Sequence, residues 1–182
     1  MKKLMRTTQF DRGGLALALT LAVLVGVVVI HAEAAKPNGG GASGGTKSAT
    51  PQLFLSSGKA SLAAGQTFTV QVRENSGTTS VNAVQANLTY PADKLELVNI
   101  DDTNSAFAVK ASGSGSNGSL QIARGTTTPV TGNQLVASIT FSAKPVRGSA
   151  SITFQSTSAL IESTTNTNIL STVAGATYQF SK

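Results

Sequence analysis

From residue 51 onward, apolar and polar positions alternate in short runs. Val84, Ala86, Leu88 and Tyr90 fall on one side of an extended strand, and Gln85, Asn87 and Thr89 on the other. That period of two marks a strand with one face in a core and one in water. Pro91-Ala92-Asp93 end the run, and a second alternation begins at Leu95. The same pattern recurs at Phe68, Val70 and Val72, and at Leu120 and Ile122. Over 135–143, Leu135, Ala137, Ile139, Phe141 and Ala143 oppose Val136, Ser138, Thr140 and Ser142. Ala150, Ile152 and Phe154 repeat it, and Ala176, Tyr178 and Phe180 close the chain. The Gly/Ser-rich segment 111–118 reads as a solvated connection. Many short alternating strands with polar loops predict an all-β, antiparallel β-sandwich.

The first fifty residues follow other rules. Lys2, Lys3, Arg6 and Arg12 precede an uncharged run of 18 residues, 13–30. As one apolar helix it would span about 27 Å, close to a bilayer core of about 30 Å. The small residues around Ala32-Glu33-Ala34 fit a cleavage site, so 1–34 reads as a membrane anchor or a signal peptide. In either case the basic end stays inside and the remainder is exported. The expected location is the cell membrane, single-pass with the domain outside, or secreted if the segment is cleaved. Residues 35–50, rich in Gly and Ser, predict a flexible linker, and 51–182 form the domain.

Charge follows this division. Of the net +6, residues 1–50 hold six basic and two acidic side chains, and 51–182 hold eight and six. The domain lacks the basic face that nucleic-acid binding needs. With no Cys, and a sole His31 beside the apolar run, it also lacks the common nucleophile–base pairs and transition-metal ligands. Asp101 and Asp102 are adjacent, and neighbours on a strand point to opposite faces. Together with Thr103 and Asn104 they could offer oxygen to Ca²⁺, but acidic turn residues are ordinarily just solvated. The expectation is a non-catalytic module without a cofactor. There is no Trp, and both tyrosines lie in phase with core positions, so no aromatic sugar platform is visible.

From Leu62 to Phe180 the order of elements resembles the cohesin domain. The matching motifs are Ala64-Gly65-Gln66 before Phe68-Thr69-Val70-Gln71-Val72, then Tyr90-Pro91-Ala92-Asp93-Lys94-Leu95-Glu96-Leu97. Gly132 precedes Leu135-Val136-Ala137-Ser138-Ile139-Thr140-Phe141, and Gly148-Ser149-Ala150-Ser151-Ile152-Thr153-Phe154 follows. The resemblance implies a jelly-roll sandwich of about nine strands and an extracellular, dockerin-like protein partner. It places the recognition surface on the strand that carries Gln85, Asn87 and Thr89, with Gln121 and Ala123 expected on the strand beside it. Where such cohesins carry an Asn-x-Asp pair, this chain has Ala83 and Gln85, and Pro91 stands where the family has the Asp of Tyr-Asp-Pro. A carbohydrate-binding module on the same fold, taking polysaccharide, and a structural or adhesive surface component are the alternative readings.

Overall fold

The computed structural model describes residues 49–57 and 61–181. The apolar run and nearly all of the predicted linker lie outside them. Twelve strands follow one another: β1 (Gln52–Ser57), β2 (Ser61–Ala63), β3 (Thr67–Asn75), β4 (Val81–Thr89), β5 (Leu95–Asp101), β6 (Val109–Ser116), β7 (Ser119–Val130), β8 (Asn133–Ala143), β9 (Gly148–Phe154), β10 (Ala159–Glu162), β11 (Thr172–Ala174) and β12 (Ala176–Ser181). They form two sheets. The five-stranded one runs β11-β1-β3-β8-β5; the seven-stranded one runs β2-β12-β9-β4-β7-β6, with β10 also beside β4. Pairing is antiparallel except for β1–β11 and β12–β2, which are parallel. The count exceeds the expected nine because β2, β10 and β11 span only three or four residues, too few for an alternation to show.

The inward faces interlock as the alternation requires. Val70, Val72, Ile139 and Phe141 from one sheet meet Val84, Ala86, Leu88, Leu120, Ile122 and Ile152 from the other, all buried. Phe68, Phe141, Tyr90 and Tyr178 form an aromatic chain, with ring centroids 4.7–5.9 Å apart. Apolar burial of this kind is the main favourable term in folding.

Two expectations need correction. On β8, Val136 is buried and Leu135 only half-buried, the reverse of simple alternation. A bulge is responsible: Val72 pairs with Ala137 but Arg73 with Leu135, so Val136 is an extra residue and everything before it changes face. The segment 111–118 is not an open loop either. It is most of β6, paired with β7 as far as Ser116↔Ser119 through a two-residue turn, Asn117-Gly118, with positive φ at both positions (50° and 84°), as such hairpins require. Poor strand propensity is overridden by packing: a Cβ at Gly115 would come within 2.7 Å of both Leu97 and Leu120, so the bare backbone is what lets these leucines close the sandwich.

Candidate protein-docking face

β4 occupies the middle of the larger sheet and fixes what its outer surface shows. Gln85 pairs with Ala123, Asn87 with Gln121 and Thr89 with Ser119, so the strand expected beside β4 is indeed its neighbour. Thr89 also pairs with Thr153 of β9. Ser114 and Ser116 of β6 lie opposite Gln121 and Ser119. The five predicted residues therefore come together on one sheet face, with Gln121 and Thr89 exposed and Gln85 and Ala123 half-buried.

Asn87 departs from the expectation of a solvated side chain. It is only 8 % exposed, because the segment 155–158, between β9 and β10, lies against it. Its Nδ2 donates to Thr157 Oγ1 at 2.8 Å and to the Thr157 carbonyl at 3.3 Å. The Ser158 hydroxyl receives the Asn87 N–H and donates to the Asn87 carbonyl, both at 3.2 Å. The N–H of Gln155 donates to that carbonyl too, at 2.7 Å. Asn87 thus fastens the crossover at which β4 changes neighbour from β9 to β10. Alternation in β4 alone could not show this, since the covering segment is some 70 residues away in sequence.

The exposed part of the face is wider than the predicted set. Ser151 and Thr153 of β9 and Thr177 of β12 extend it, and two cross-strand hydroxyl pairs stand on it: Thr89–Thr153 and Ser151–Thr177, each at 2.9 Å. The alternation in 149–153 carried that signal. These positions present hydroxyls and amides and no charge. Ala83, at one of the Asn-x-Asp positions, is half-buried and flanked by Ile161 of β10, so the hydrogen-bonding centre lies toward Thr89, Gln121 and Thr153.

The acids do other work. Asp102 receives Arg124 Nη1 and Lys110 Nζ, the latter at 3.2 Å, and Arg124 Nε donates to the Phe107 carbonyl at 3.1 Å. Arg124 is buried on the inward face of β7, so the cluster closes one end of the core over Phe107. The hydrogen bond from Lys110, with both cations, holds the Asp102 carboxyl below its usual range. Asp101 Oδ1 accepts from the Thr103 N–H and hydroxyl, which lowers its pKa as well. Both carboxylates are engaged by protein donors, and among the described residues no three or more Asp, Glu, His or Cys side chains cluster as metal ligands.

Residues 53–177 match the cohesin domain family. The chain belongs to the cohesin family. No curated protein matches it. Solved structures of similar fold include the sixth cohesin of scaffoldin B from Acetivibrio cellulolyticus, in complex with a Cel5 dockerin, at 17% identity and TM-score 0.63, covering 73% of this chain and 100% of that one. The non-cellulosomal cohesin of Archaeoglobus fulgidus is similar at 16% identity and TM-score 0.58 (74% and 93% covered). The cohesin module of a Clostridium perfringens family 33 glycoside hydrolase gives 12% and 0.59 (72% and 96%). At such identities the likeness is one of fold. In this cohesin the outer face just described is the larger sheet's.

Proposed function

We propose that this cohesin is a non-catalytic recognition module that docks a protein partner, of the dockerin class, on the outer face of its larger sheet. The observation that carries this is the uncharged array of Thr89, Ser119, Gln121, Ser151 and Thr153, held flat by strand pairing on a cohesin-family sandwich. An array of neutral donors and acceptors recognises by hydrogen-bond geometry and exclusion of water, and without steering by charge. The test is titration of the full chain against calcium-loaded dockerin modules between low and high salt. Binding should survive the salt series with little loss, since screening acts on charge pairs. If no dockerin binds, or if affinity collapses with salt, the reading fails.

We also infer that the apolar run 13–30 tethers the module outside the membrane. Its length and the basic residues before it support this. Alkaline carbonate extraction should leave the protein in the membrane pellet. A soluble product beginning near Ala35 or Lys36 would instead mean cleavage.

A further inference from the structure

A second feature lies beyond the segment that covers Asn87, at the side opening between the two sheets. There the segment 168–173 runs opposite 154–158 and leaves an open groove of about 390 Å³, within the size range of small-ligand sites. Its apolar lining comes from Phe154 and Leu170, both half-buried, and from Val173, which is 48 % exposed. Around it stand polar groups without a protein partner: the side chains of Gln155, Ser171 and Thr172. Asn168 uses its Oδ1 to accept the Leu160 and Leu170 N–H groups at 3.0 and 3.1 Å, which leaves its Nδ2 uncommitted. No charged residue lines the groove.

We propose that this groove binds a short segment of neutral glycan. A sugar ring has an apolar face of C–H groups and a rim of hydroxyls that both donate and accept. The groove offers the complement: an apolar floor where half-buried Phe154 and Leu170 meet exposed Val173, and amides and hydroxyls for the rim. The lack of lysine or arginine disfavours uronic, sulfated or phosphorylated glycans, which need charge-assisted partners. An extended peptide is disfavoured because the strand beside the groove, β11, has only three residues, too short an edge for strand addition. The groove shares the segment 155–158 with the docking face, since Ser158 lines it and bonds Asn87; Val173, on the opposite wall, touches only the groove, so a variant there separates the two sites.

The experiment is calorimetric titration of the full chain with tetrasaccharides of the cello-, xylo-, manno- and chito- series, a galacturonate tetramer and an uncharged Ser/Thr/Gly peptide serving as controls. At least one neutral tetrasaccharide should bind. Gln155→Ala with Thr172→Ala should weaken it by about tenfold or more, the equivalent of one or two lost hydrogen bonds. Val173→Lys, at an exposed position, should weaken it similarly with unchanged circular dichroism and unchanged dockerin binding. The proposal is overturned if no neutral tetrasaccharide binds at millimolar concentration. It is also overturned if the variants bind as the parent does, or if only the acidic tetramer or the peptide binds.

Discussion

Glu74 is the residue at which burial and chemistry conflict most openly. It points inward from β3, is 0 % exposed, and neither carboxylate oxygen has a well-formed hydrogen bond. Burial raises its pKa from 4.5 to about 7; the nearby Ser76 and, last, Arg73 act the other way. The folded state therefore binds the proton more tightly than the unfolded chain. This contribution is fully present below about pH 4.5 and is lost as pH rises to about 7. Ionising the buried group costs on the order of 3 kcal/mol. Glu74→Gln should remove that slope, so that urea denaturation shows the variant ahead of the parent at pH 8 and level with it at pH 4. Parallel profiles would mean that Glu74 is not buried as described. No sequence pattern announced this: an acid in phase with Phe68, Val70 and Val72 looks like the end of the strand. Phe141 was legible from alternation alone. Its removal in Phe141→Ala should cost about 3–5 kcal/mol, against about 0.5 kcal/mol or less for Ser138→Ala on the opposite face, read by the same denaturation. Equal losses would contradict the facing of β8.

At the scale of elements, the strands with clean alternation, β3, β4, β7, β9 and β12, were readable, because a half-buried strand writes its two environments into successive residues. β6 was not. Its inward positions Gly113 and Gly115 have no side chain to mark them, and Gly115 makes room for Leu97 and Leu120. Gly115→Val should therefore destabilise by about 1–3 kcal/mol through overpacking. Ser114→Val, next to it on the outer face, should stay within about 0.5 kcal/mol. Thermal melts that give the two variants similar losses would remove the packing role assigned to Gly115. The crossover at Asn87 was hidden for a different reason. It depends on Thr157 and Ser158 reaching a strand far away in sequence, and local periodicity holds no record of that. Of the predicted site, the strand of Gln121 and Ala123 was expected beside that of Gln85, Asn87 and Thr89 through the family resemblance, but neither the residue register nor the burial of Asn87 was legible.

For the molecule as a whole, the larger sheet's uncharged outer face is the proposed docking surface, while the charged cluster of Asp102, Arg124 and Lys110 serves structure. The most direct test is the double variant Gln121→Lys with Thr153→Lys, titrated against a dockerin that binds the parent chain. Both side chains are exposed, so folding should be kept, and circular dichroism would report it. Two ammonium groups set among neutral hydroxyls and amides would have to be desolvated on docking without a counter-charge. The account predicts a loss of affinity of at least about a hundredfold, on the order of 3 kcal/mol. A folded double variant that binds as tightly as the parent would contradict it.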